Sequence, residues 1–132
     1  MSNEFLQPPG WAAPKGYSNG VAASGRQVYL AGQIGWNESQ QLVSSRLAVQ
    51  LRQALQNIVT LLAQAGGRPE HLVRLTWFVT NLDEYRAELK DIGAAYRDVI
   101  GRHYPPMSVV QVAGLVEQGA KVEIEATAVV PE

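Results

Sequence analysis

The segment from His71 to Thr80 alternates like a β-strand yet carries apolar side chains on both faces. Side chains two apart in a strand share a face. Val73, Leu75, Trp77 and Val79 therefore fall together, with Leu72, Thr76 and Phe78 opposite them, interrupted by Arg74. A sheet with one wet face shows a clean polar alternation, and this strand does not. Both of its faces need cover.

The flanking sequence supplies cover for one face. From about Val43 to Ala65 the period changes, and Leu47, Leu51, Leu55, Ile58, Leu62 and Ala65 step by three and four. That spacing predicts a helix with one apolar stripe. Ser44 or Ser45 is placed to cap its start, and Gly66 and Gly67 to end it. Leu82, Tyr85, Leu89, Ile92, Tyr96 and Val99 predict a second helix, with Asp83 near its positive end and Pro105–Pro106 barring continuation. Tyr17–Ala23 and Gln27–Ile34 read as a hairpin turning at Ser24, Gly25 and Arg26. Met107–Val112 and Lys121–Val130 read as the last two strands. Residues 1–16, with Pro8, Pro9, Gly10, Pro14 and Gly16, read as an irregular arm.

The expected order is β-β-α-β-α-β-β, an α/β (α+β) chain with one mixed sheet and both helices on one of its faces. The 132 residues fit a single domain spanning 1–132. The uncovered face is too apolar for a soluble monomer and predicts a homo-oligomer.

Charge and composition narrow the function. A net charge of −1, with no Lys/Arg cluster, gives no reason to expect nucleic acid or an anionic membrane as a partner. No run approaches the roughly 20 apolar residues of a membrane helix, and the polar, proline-containing start lacks a signal-peptide core. A cytoplasmic protein is expected. With no cysteine there is no thiolate nucleophile and no disulfide. His71 reads as a surface or capping residue. His103 has no visible ligand partners, and a metal site needs three or four. No metal and no cofactor are expected.

The last strand carries the most chemistry. Lys121, Glu123 and Glu125 share one face, alternating with Val122, Ile124 and Ala126. Two carboxylates so close are either a solvated strand face or a site in which one is held in a cleft to position water. The second requires that face to lie at the oligomer interface.

Several motifs occur in a fixed order. Tyr17-Ser18-Asn19-Gly20-Val21 resembles Y-S-x-A-V, and Ala31-Gly32-Gln33-Ile34-Gly35 resembles S-G-Q-I-G. Thr76-Trp77-Phe78-Val79-Thr80-Asn81-Leu82 resembles T-V-F-V-T-D-L. Pro105-Pro106-Met107-Ser108 stands where P-A-R-S is usual, and Gly119 followed by Val122-Glu123-Ile124-Glu125-Ala126 resembles G-x-x-V-E-I-E-A. Together they resemble the Rid/YjgF family of small imine and enamine deaminases, from residue 17 to residue 128.

The resemblance implies a chorismate-mutase-like fold and a homotrimer with clefts between neighbouring subunits. It implies hydrolysis of a small metabolite, a reactive imine or enamine, to a 2-keto acid and ammonia, without a cofactor. Glu123 is then the catalytic residue that positions water. Tyr17, Ala31, Gly32, Met107 and Val109 are the expected substrate-binding positions.

The chain departs from the family pattern at Met107, which replaces the arginine that grips the substrate carboxylate. Losing one such charge-assisted pair costs about 2–5 kcal/mol of binding, or about 30- to 5,000-fold. Ala31 also replaces the usual serine. Arg102, Lys15 and Lys121 are the candidate substitutes for the lost cation. The alternative is a trimer that binds a small metabolite without turning it over. A ribonuclease role is disfavoured by the charge balance.

Overall fold

The computed structural model describes residues 3–132. Its main sheet has four strands: β3 (Arg26–Gln33), β4 (Leu72–Val79), β5 (Met107–Gln111) and β6 (Val122–Val130), after the short β1 (Glu4–Phe5) and β2 (Val21–Ala22). The order across the sheet is β3-β6-β4-β5. β6 runs antiparallel to both neighbours and β4 runs parallel to β5. The sheet is therefore mixed, as expected.

Three helices follow the strands: α1 (Leu47–Gln64), α2 (Leu82–Ala87) and α3 (Leu89–Val99). The stripe Leu51, Leu55, Ile58 and Leu62 of α1 is fully buried. It packs into one core with Leu75 and Val79 of β4 and with Val122 and Ile124 of β6, and α3 adds Ile92, Ala95 and Tyr96. Both long helices lie on the same face of the sheet.

The fold departs from the pattern expected of the sequence in four places. The amino-terminal arm is not wholly irregular, because Glu4–Phe5 pairs antiparallel with Val21–Ala22 in a separate two-stranded ribbon. That pairing uses up the segment expected to form a hairpin with β3, and only two of its residues are strand. The second helix is two helices broken at Glu88, which has φ −108° and ψ 17°. Finally, the register slips between Leu72 and Arg74 of β4. The extra residue, Val73, flips the alternation, so Leu72 is buried in the core and Val73 only half-buried.

The helix ends show how the chain satisfies its own backbone. α1 stops in a Schellman arrangement: Gly67 N donates to Leu62 O and Gly66 N to Ala63 O, both at 3.0 Å. Gly66 sits at φ +76°, where glycine alone is unstrained. The start of α1 takes no cap from Ser44 or Ser45 at the helix itself. Ser44 Oγ accepts from Arg46 N, while Glu88, at the α2–α3 break, accepts from Ala48 N at 3.1 Å. α2 is capped by Asn81, which accepts from Glu84 N at 2.9 Å.

Gln50 is the one fully buried polar side chain among the described residues. Its amide donates to Ser44 O at 2.9 Å and Gly119 O at 3.0 Å, and accepts from Lys121 N at 2.8 Å. α1 thereby fixes the loop that leads into β6, two residues ahead of Glu123.

Candidate active site

The carboxylate strand has the alternation read from the sequence. Val122, Ile124, Ala126, Ala128 and Val130 are buried against the helices. Glu123 is half-buried and Glu125 exposed on the opposite, helix-free face. Residues paired directly across strands point to the same face. Glu123 pairs with Phe78 and Glu125 with Thr76, so the outer face of the sheet carries Thr76, Phe78, Glu123 and Glu125. Ser108 and Val110 of β5 join them, paired with Thr76 and Phe78.

Glu123 rests on bare backbone. β3 and β6 lose register between Leu30 and Gln33, and Gly32 comes to lie under the carboxylate. A Cβ at Gly32 would overlap the Glu123 carboxylate, standing 2.7 Å from its Cδ. The carboxylate can keep this position only while residue 32 has no side chain. Ala31 beside it is exposed, and its carbonyl accepts from Gln33 Nε2 at 3.0 Å.

Met107 lies on the other side of the sheet. It pairs with Leu75, and Val109 pairs with Trp77. Both partners are buried on the helix face. Met107 borders a cavity of about 430 Å3 whose walls include Lys15, Trp77, Tyr96, Arg97 and Tyr104. Val109 packs against the core instead of lining this cavity. Tyr17 is 43% exposed, one residue past Gly16 at the cavity edge. The backbone N–H of its neighbour Ser18 donates to Pro105 O at 3.4 Å, just ahead of Met107.

The aromatic wall is stacked. Trp77 and Tyr96 have ring centroids 6.0 Å apart at 25°, and Tyr96 and Tyr104 are 5.4 Å apart at 15°. The Tyr96 hydroxyl donates to His103 O at 2.6 Å. Burial, with the Tyr104 phenol alongside, pushes the Tyr96 hydroxyl well above its ordinary pKa, and burial raises Tyr85 as well. These phenols stay neutral, so the charge at the cavity comes from Lys15 and Arg97. Among the described residues neither cation has an ion-pair partner.

Of the three candidate substitutes for the missing arginine, only Lys15 is at the cavity. Lys121 is committed to Glu84 at 2.7 Å, and Arg102 lines a separate cavity with Phe5 and Leu6. Arg97 was missed by the sequence reading. Its signal was weak: a cation four residues after Gly93 in a helix, where a Cβ on the glycine would come within 3.3 Å of Nη1. The two histidines are structural. His103 Nε2 meets Leu72 O at 2.8 Å, and His71 Nδ1 accepts from Arg68 N at 2.9 Å, a capping role.

The structure thus brings Gly32 and Glu123 together on one face, and Met107, Lys15 and Arg97 together near the other. It does not join the two groups within one chain. This is a small mixed-sheet protein that presents two separate clusters, one acidic and one aromatic and cationic.

Comparison with known proteins gives the class. A family model described as Endoribonuclease L-PSP matches residues 9–130. The human 2-iminobutanoate/2-iminopropanoate deaminase is 32% identical over 122 residues, covering 92% of this chain and 83% of the human one. The protein of the same name from Escherichia coli K12 is 33% identical over 132 residues, covering 98% of each. The crystal structure of YyfB, a Rid-family protein of Yersinia pestis, superposes with a TM-score of 0.86 at 32% identity, over 98% of this chain and 100% of that one. The chain belongs to the endoribonuclease L-PSP family, the Rid/YjgF family whose motifs its sequence carries. Among the described residues, no helix is long and apolar enough to cross a membrane.

Proposed function

We propose that the protein hydrolyses 2-imino acids in a cleft completed by two copies of the chain. One observation carries the reading. Glu123 over Gly32 and the cavity beside Met107 lie on opposite faces of one sheet, with β4 between their strands. A neighbouring copy is the means of bringing them together. The uncovered outer face, with Phe78 and with Val110 at 42% and Tyr29 at 71% exposure, supports association there. A homotrimer closes such a heterologous contact into a ring with three equivalent clefts.

In that cleft Glu123 orients a water and accepts its proton as the oxygen bonds to the imine carbon. Glu123 returns that proton to the nitrogen, and the carbon–nitrogen bond breaks as the hydroxyl gives up its own proton and becomes the carbonyl, the departing ammonia leaving as ammonium. A protonated imine of a 2-imino acid plus water becomes a 2-keto acid plus ammonium. The chemistry needs water, a proton acceptor and orientation, and no cofactor. Gly32 admits the carboxylate and, with Ala31, offers main-chain polar groups. The Tyr17 ring shapes the rim and Met107 packs against the substrate, while Val109 holds the strand of Met107 against the core.

The reading is tested with 2-iminopropanoate generated in situ. The natural protein accelerates hydrolysis, Glu123→Ala abolishes it, and Met107→Arg raises the rate on this small substrate. Activity only in Met107→Arg would favour a natural protein that binds its metabolite without turnover. No activity in either sinks the deaminase reading.

A further inference from the structure

We propose that the cavity beside Met107 selects aromatic 2-imino and 2-oxo acids, with Arg97 and Lys15 holding the carboxylate in place of the arginine this chain lacks. The proposal rests on the reading of that cavity as the substrate half-site, and adds the ligand's class and the groups that recognise it.

Three observations converge. The first is size. About 430 Å3 lies in the roughly 300–1,000 Å3 range of small-molecule sites, and a three-carbon acid leaves most of it empty. Gly93 in the lining keeps the α3 wall free of a side chain, whereas a Cβ there would approach the Arg97 guanidinium.

The second is the wall chemistry. Trp77, Tyr96 and Tyr104 form a continuous stack, and Met107 borders it. An aromatic ring gains from offset or edge contacts with such walls and from the polarizable thioether.

The third is charge. Lys15 and Arg97 are exposed at the cavity, lack ion-pair partners among the described residues, and share it with no carboxylate. A planar guanidinium suits a planar carboxylate, and the lysine adds a mobile point charge. Lys121, committed to Glu84, is not available for this. An anion with an aromatic tail satisfies both halves of the lining at once. A small anion uses only the cations, and a neutral arene only the wall.

The test uses the full-length protein and the stable keto acids, read by calorimetry, with turnover measured separately. Phenylpyruvate binds at least about 10-fold more tightly than pyruvate, and more tightly than phenylacetone, which keeps the ring and ketone without the carboxylate. Arg97→Gln and Lys15→Gln each weaken phenylpyruvate about 3- to 10-fold and leave phenylacetone unchanged. Gly93→Leu, which fills the cavity from a helix position where a side chain meets only the flexible Arg97 guanidinium, weakens both. Equal affinity for pyruvate and phenylpyruvate overturns the proposal, as does an Arg97→Gln/Lys15→Gln double variant with unchanged affinity. The turnover arm compares the imines of phenylalanine and alanine. Equal hydrolysis of the two overturns the specificity while leaving the deaminase reading intact. Selective, cation-dependent phenylpyruvate binding without turnover of either imine supports the ligand class and removes the deaminase reading.

Discussion

Glu123 lies with its carboxylate directly against Gly32, where a single added carbon has no room. The two are held by the β3–β6 pairing, which loses register between Leu30 and Gln33. Gly32→Ala is expected to push the carboxylate off its seat. Imine hydrolysis should fall at least about 10-fold, because a displacement near an ångström suffices for losses of that order. The circular-dichroism spectrum should stay native, and an unchanged rate would show that the seat does not matter.

A cleft shared by two copies predicts complementation. Glu123→Ala and Gly93→Leu each remove one half-site and are inactive alone. Mixed, dissociated and reassembled, they place an intact carboxylate beside an intact cavity in about a quarter of the clefts of a ring. Recovery of about a quarter of the natural rate is expected, and none at all would mean that the half-sites belong to one chain. Phe78→Asp, on the outer face of the sheet, should shift the protein toward monomer in analytical ultracentrifugation.

The Gln50 amide is buried among three backbone groups from two loops. Gln50→Leu leaves Lys121 N, Ser44 O and Gly119 O without this partner. An orphaned buried polar group costs about 1–3 kcal/mol, so a loss of at least about 2 kcal/mol is expected in denaturant unfolding. A neutral result would show that water replaces the amide.

Glu88 supports a helix other than its own by accepting from Ala48 N in the first turn of α1. Glu88→Ala should cost about 0.5–2 kcal/mol, the usual value of a lost cap, and Glu88→Gln less. The cost of Glu88→Gln, which keeps an acceptor and removes the charge, should shrink at high salt, since it reports the carboxylate in the helix-dipole field.

Tyr96 sets a pH limit. Its folded-state pKa is raised by burial and by the neighbouring Tyr104 phenol. In the unfolded chain the phenol ionises near pH 10. Below that pH both states are protonated and the stabilisation is complete. Above it the unfolded state releases a proton that the folded state keeps, so stability falls as pH rises. The unfolding midpoint should drop above about pH 10, and Tyr96→Phe should flatten the decline while losing the bond to His103 O.

By itself, the sequence determined the mixed sheet, the buried stripe of α1, the glycine stop at Gly66 and the alternation that puts Glu123 and Glu125 on one face. These are local consequences of period and of backbone freedom, and each is written in consecutive residues. The tertiary structure decided what depends on register and on distant partners. A single extra residue at Val73 moved Leu72 into the core, which no periodicity reveals. The break at Glu88 has no glycine or proline to announce it, and its carboxylate bonds to a helix about forty residues earlier. Most of all, two positions that the resemblance assigns to one site do not meet within one chain. Met107 and Glu123 come from strands on either side of β4 and face opposite ways. Arg97 joined Lys15 only because α3 packs back over the sheet. Which side chains meet is settled by strand register and helix packing, and neither is a property of any one segment.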